Sequence, residues 1–331
     1  MDFTAVYYEP GILQYELGKK LKSAYQAIPW YPIENHNRIR VLSERENKDF
    51  PQMKRYLIVG TRKTHRYVEN QKISDYLVPF TSSGCTAMCL YCYLVCNYNK
   101  CAYLRIFVNR EEMLERLIRF SNKVPEPGVF EVGSNSDLIL ENQITGNLPW
   151  LISDFGLKGR GKITFPTKFH QVDDLLELDH KGKTIFRMSV NPEEIIKRVE
   201  FGTSSLEKRL EAVNKMCDAG YPVGILIAPV ILLDGWNQMY EKLLDILSEK
   251  LSPKTKKQLT VEVILMTYSF VHRAINAEAF PNAVDLYSKE QMVGRGRGKY
   301  AYRLEFREEA QDYLRNLIQT RLPEADIVYF S

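Results

Sequence analysis

The sequence predicts an α/β protein: a partial TIM-type (β/α)6 barrel of parallel strands, with a small N-terminal α+β cap and a C-terminal extension. Three observations carry this. Short apolar or β-rich runs recur at 76–81, 128–133, 162–167, 184–190, 222–228 and 259–265. Amphipathic helix patterns lie between them at 110–122, about 144–154, 171–178, 204–219 and 236–251. Strands alternating with helices imply a parallel sheet, and the 331 residues leave no clear room for the two further units of a closed eightfold barrel.

The elements follow in order. Residues 1–70 form the cap: ILQYELGKKLKSAYQA reads as a helix with Leu13, Leu17 and Leu21 on one face, and IENHNRIRVL and KRYLIVGTRKT supply two strands. Residues 71–270 form the barrel. Its 204–219 helix is capped by Ser204 or Ser205, repeats Leu206, Leu210, Val213 and Cys217 at near-helical spacing, and ends at Gly220. Cys217 on that face belongs to the core. Residues 271–331 form the extension, with a helix near 307–320 and the strand-like DIVYF at its end.

Composition sets bounds. Hydrophobic residues make up 45% and charged residues 26%, as in soluble globular proteins, and no run approaches the length of a membrane span. The net charge of +4 is slight, but positive charge concentrates in TRKTHR (61–66) and GRGRGKYAYR (294–303). The opening MDFTAVYYEP lacks the basic, apolar and cleavage regions of a secretory signal. The six cysteines are therefore expected as reduced thiols in a cytoplasmic protein.

The stretch SSGCTAMCLYCYLVC places Cys85, Cys89 and Cys92 in C-x3-C-x2-C spacing after the first barrel strand. Three thiolates at this spacing can hold three irons of a 4Fe–4S cluster and leave the fourth open to a small molecule. S-adenosylmethionine is the cofactor that chelates such an iron and yields radicals on reduction. The spacing resembles the signature of the radical S-adenosylmethionine superfamily, and Tyr91 matches the aromatic before its third cysteine. With Cys96 and Cys101 close by, a cysteine-rich zinc loop is the competing reading, although zinc sites favour paired knuckles over one dense triplet.

Polar residues collect at the predicted C-terminal ends of the strands, where barrels carry their active groups. Ser136 and Asp137 follow the second strand, Lys168 ends the third, Ser189 and Asn191 the fourth, and Ala228 the fifth. Lys168 suits a cofactor carboxylate, the serines its polar groups, and the Ala228 backbone its adenine. Taken alone, each serine reads sooner as a strand-end turn or cap, and Lys168 as a solvated charge.

Over roughly residues 75–330 the chain resembles the spore photoproduct lyases. FTSSGCTAMCLYCYL, YLRIFVNREE, FEVGSNSD, FPTKFHQVDDLLELDHKGKT, FRMSVNP, EFGTSSLEKRL and AGYPVGILIAPV carry the resemblance, and NYNKCAYLRIF is similar to the clostridial branch. The resemblance implies a radical enzyme that returns the methylene-bridged thymine dimer of spore DNA to two thymines, hence a DNA-repair role linked to sporulation. It also implies an external one-electron reductant of flavodoxin or ferredoxin type, and it carries cofactor contact to Ser136, Lys168, Ser189 and Ala228. Tyr91 and Tyr93 match the family's paired tyrosines, and Arg295, Arg297 and Lys299 fall in its basic DNA-binding hairpin. One position departs: Ser134 stands where well-known members have the cysteine that returns hydrogen to the product radical. A serine O–H bond is too strong for that task, so Tyr93 and Cys96 are expected to serve as a relay. The departure also favours a rival, a radical enzyme acting on another nucleic acid or a peptide. A second rival is an iron–sulfur or zinc protein that binds DNA without radical chemistry.

Overall fold

Each of the six expected barrel strands forms, at Tyr76–Val78, Val129–Val132, Lys162–Thr167, Thr184–Val190, Val223–Val230 and Thr260–Leu265. The computed structural model describes residues 2–331. It divides into two units, neither continuous in sequence. The first comprises the chain up to Thr86 with Asn97–Phe165 and Asp173–Ile185; the second comprises Ala87–Cys96, Pro166–Val172 and Phe186–Ser331.

In the first unit, Ala5–Tyr8 lies between Trp30–Pro32 and Tyr56–Gly60, and Leu104–Phe107 extends the sheet, all parallel. Ser82–Ser83 adds an antiparallel edge. Both faces are covered. Val6, Leu57, Val59, Leu104 and Ile106 pack with Leu17 and Leu21, while Ala5, Tyr7, Tyr56 and Ile58 pack with Ile39, Leu42 and Met53. Burial on both faces explains why YLIVG is apolar throughout instead of alternating. Val129–Val132 pairs in parallel with Tyr76–Val78 and with Lys162–Thr167, and Val68–Glu69 runs antiparallel at the edge.

Four expectations here are corrected. The first helix begins at Glu16, after a 3-10 turn at Pro10–Gln14, so Leu13 is 40% exposed and Ile12 takes the buried place. IENHNRIRVL is not a strand, because Asn35 closes a side-chain turn onto the Asn37 amide at 2.8 Å and a short helix, Arg40–Ser43, follows. The helix expected near 144–154 is two, Leu138–Thr145 and Asn147–Lys158, parted at Gly146 with φ of 64°. The first starts early because Asp137 caps it, its Oδ1 accepting from the Leu140 amide at 3.1 Å. The helix expected at 171–178 is reduced to a 3-10 turn, Asp173–Leu175, held where Asn142 donates to Asp174 at 2.5 Å. Arg110–Ser121 forms as expected.

In the second unit, Thr184–Val190, Val223–Val230, Thr260–Leu265 and the C-terminal Asp326–Phe330 run parallel in that order, so DIVYF continues the parallel sheet. Arg187 reaches over Gly224 to grip Glu262 with two hydrogen bonds of 2.7 Å. A Cβ at Gly224 would lie 2.7 Å from Thr260 and 3.4 Å from Arg187, so glycine keeps this crossing open. Helices Leu206–Asp218, Trp236–Lys250 and Leu304–Arg321 form near their expected positions, and Leu206, Leu210, Val213 and Cys217 are buried. Helices Glu193–Val199 and Phe270–Ala279 were not expected. Thr267–Ser269, Met292–Gly294 and Lys299–Tyr302 make a small antiparallel sheet. Among the described residues no helix is long and apolar enough to cross a membrane.

Candidate active site

Lys168 follows the strand Lys162–Thr167, and its ammonium has three partners: Ser189 Oγ at 2.5 Å, the Ala228 carbonyl at 3.0 Å and Glu200 Oε1 at 3.0 Å. Ser189 also donates to the Ala228 carbonyl at 2.9 Å. Three of the four residues expected at the cofactor thus converge at strand ends of the second unit. Lys168 is not a solvated charge.

Glu200 organises the cluster. Its side chain is fully buried, as is that of Arg209, which donates to it at 2.7 Å. Asn191 donates at 2.8 Å, and the Tyr91 hydroxyl makes a short hydrogen bond to the same carboxylate. Burial alone raises a carboxyl pKa, but Lys168 and Arg209 outweigh it and hold Glu200 at about 2. Burial, then the Glu200 charge, pushes the Tyr91 phenol well above its ordinary value, so it remains a donor. Arg209 also donates to the Ser189 and Ser204 carbonyls, both at 2.9 Å, tying the strand end to the turn before its own helix.

The cysteines occupy both units. Cys85, in the first, follows Gly84, where a Cβ would sit 1.9 Å from the Tyr103 carbonyl. Lys54 fixes the Cys85 carbonyl at 2.9 Å. Cys89 and Cys92 belong to the second unit. Cys89 pairs with Glu200 through the backbone, and the Cys92 amide closes a turn onto the Cys89 carbonyl at 3.1 Å. His272 Nε2 lies 2.6 Å from the Cys92 carbonyl, which can only accept, so this nitrogen carries the proton and Nδ1 faces Ser269 Oγ at 2.8 Å. None of the three cysteines is in a disulfide and each is half-buried. Among the described residues no three Cys, His, Asp or Glu side chains form a ready metal cage. The fit to an iron–sulfur cluster therefore rests on the chemistry of three free, half-buried thiols.

Tyr93 is 54% exposed at the start of a helical segment, and Cys96 lies one turn further on. The Cys96 thiol donates to Ser269 Oγ at 3.4 Å and lies 3.9 Å from His272 Nδ1. The His272 contact lowers its pKa against the opposing pull of burial, with Ser269 contributing. In the first unit, Ser136 shares a 2.8 Å hydrogen bond with Ser82, which also makes a short bond to buried Glu141. Burial raises the Glu141 carboxyl. Ser134 is half-buried at the turn after Val129–Val132. Arg295, Arg297 and Lys299 are exposed on a hairpin between Met292–Gly294 and Lys299–Tyr302.

The family model for spore photoproduct lyase matches residues 2–331. The chain belongs to the spore photoproduct lyase family. The spore photoproduct lyase of Bacillus subtilis is 33% identical over 98% of this chain and 97% of that protein. That of Clostridium acetobutylicum is 30% identical over 99% and 98%, so identity does not single out a clostridial branch. A solved spore photoproduct lyase mutant with bound AdoMet and dinucleoside spore photoproduct superposes with a TM-score of 0.91, at 31% identity and 100% of both chains. Another, complexed with the dinucleoside spore photoproduct, gives 0.91 at 32% identity over 99% of both. The partial-barrel fold is that of the spore photoproduct lyases. Within this lyase framework the sequence reading passed over Glu200, Arg209 and His272. EFGTSSLEKRL places a carboxylate and an arginine nine residues apart, but only folding shows that both turn inward.

Proposed function

We propose that this chain is a DNA-repair lyase that reverses the methylene-bridged thymine dimer to two thymines, using S-adenosylmethionine and a 4Fe–4S cluster held by Cys85, Cys89 and Cys92. The observation that carries this is the convergence of Ser189, the Ala228 carbonyl and buried Glu200 on the Lys168 ammonium, in a chain that matches the family from end to end. When bound, the cluster and S-adenosylmethionine supply one-electron reduction and a carbon radical able to abstract hydrogen. The chain's own residues do the rest. Lys168 meets the cofactor carboxylate, Ser136 and Ser189 its polar groups, and the Ala228 backbone its adenine. Glu200 holds Lys168 in place, and Tyr91 ties the cysteine loop to the same carboxylate.

Hydrogen must return to the product without a thiol at position 134. Tyr93 is the donor in this reading, because its side chain is exposed, and Cys96, one turn away, restores it with the thiol hydrogen; the thiyl left on Cys96 then takes one electron from the external reductant and a proton from solvent. Arg295, Arg297 and Lys299 neutralise DNA phosphates. A damaged step costs less to unstack than an intact one, which favours the lesion at the barrel mouth. An external reductant of flavodoxin or ferredoxin type and a cytoplasmic setting complete the reading. The deciding experiment is product analysis with a synthetic spore photoproduct dinucleotide and the anaerobically reconstituted protein. Thymine release is expected. Cofactor cleavage without thymine release would favour a relative acting on another substrate, as Ser134 suggests.

A further inference from the structure

The basic hairpin has an aromatic neighbour that belongs to a different element. Phe270 opens the helix Phe270–Ala279, whose inward residues are His272 and Ile275, and it is 64% exposed. Its amide donates to the Gly298 carbonyl at 2.9 Å, and a Cβ at Gly298 would lie 3.7 Å from Phe270 Cβ. The backbone that carries the ring is therefore fastened to the turn itself. That turn is tight: Gly296, Arg297 and Gly298 all have positive φ, at 82°, 52° and 69°. Arg295, Arg297 and Lys299 project from it, and none is in an ion pair among the described residues. The other rings nearby are engaged. Tyr300 packs edge-on to Tyr287 at 4.8 Å, Tyr268 stacks on His272 at 5.3 Å, and Tyr302 is buried with its hydroxyl accepting from the Leu232 amide.

A single exposed Phe needs no explanation by itself. One bonded to a turn of three unpaired cations does, because cations that take phosphates bring bases within reach of the adjoining ring. We propose that Phe270 is a stacking site for an unpaired nucleobase, with the phosphates of the same strand on Arg295, Arg297 and Lys299. The inference rests on the reading that this chain binds DNA. It adds a site whose contact is to the π-face of a base and carries no charge. Ser269, the preceding residue, accepts a hydrogen bond from the Cys96 thiol, so a base stacked there lies beside the expected relay.

The test is equilibrium binding of the full chain to a duplex with a bubble of unpaired thymines and to the same duplex fully paired, over a range of salt. Phe270→Ala should weaken bubble binding about tenfold and paired-duplex binding little, with the salt slope unchanged. Phe270→Trp should restore the loss, and 2-aminopurine in the bubble should be quenched by the wild type and Trp proteins but not by the Ala protein. Arg295→Ala with Lys299→Ala should instead weaken both duplexes and reduce the slope by about 2. Unchanged bubble affinity for Phe270→Ala, or an equal loss on both duplexes with a changed slope, would overturn the stacking site while leaving DNA binding intact. Absence of salt-dependent DNA binding by the wild type would overturn the DNA reading and the stacking site with it.

Discussion

At the scale of single residues, Glu200 carries the heaviest constraint. Its carboxylate faces Lys168 and Arg209, so removing it leaves the fully buried Arg209 without its counter-charge. Glu200→Ala should cost about 3–5 kcal/mol in urea unfolding, and Glu200→Gln less, since the amide keeps the shape and one acceptor. Unfolding midpoints that match wild type would show the charges finding other partners. Lys168→Met should weaken S-adenosylhomocysteine binding at least about tenfold by calorimetry, a charged hydrogen bond being lost. The relay makes its own demand. Tyr93→Phe and Cys96→Ala should each slow thymine formation or divert the product radical, whereas Ser134→Ala should cost little. The readout is product distribution and deuterium incorporation from solvent, and full-rate clean product from both relay variants would refute it. Lys168, Ser189 and Ala228 were legible because strand ends and cofactor chemistry select residue types. Glu200 and His272 were not, because nothing local in EFG or VHR says which side chain turns inward.

At the scale of elements, legibility followed burial. The six parallel strands were legible because each short apolar or β-rich run is set between helical stripes. The 171–178 segment misled because its leucines mimic a helical stripe. Only Val172 and Leu175 are buried there, and the Asn142 bond to Asp174 holds the turn. Asp137, a strand-end polar residue in the sequence, is a helix cap. Asp137→Ala should therefore cost about 1 kcal/mol and Asp137→Asn little, read by urea denaturation. Glu9 joins three segments: it takes the His36 amide at 3.0 Å and the Thr61 amide at 3.0 Å, with His36 Nδ1 at 2.8 Å. Burial raises its carboxyl, but His36 and Thr61 pull it down to about 2. A carboxyl so depressed stabilises the fold above its ordinary value of 4.5 and loses that contribution as pH falls towards 2. The stability gap between wild type and Glu9→Gln should close over that window; a pH-independent gap would place the effect in packing instead.

At the scale of the whole molecule, the cysteines separate by role. Cys85→Ala, Cys89→Ala and Cys92→Ala should each abolish iron and sulfide uptake on anaerobic reconstitution, while Cys217→Ala, in the core of its helix, should retain it. An iron-loaded Cys89→Ala protein would refute the cluster assignment. Composition and charge bounded the class of protein but could not reveal how the chain is shared between its units, because that depends on contacts far apart in sequence. The chain passes between the units at Thr86/Ala87, Cys96/Asn97, Phe165/Pro166, Val172/Asp173 and Ile185/Phe186. No single cut releases either one, so neither is a cassette that one recombination event could move into another gene. Descent with substitution is open to such an architecture; exchange of halves is not.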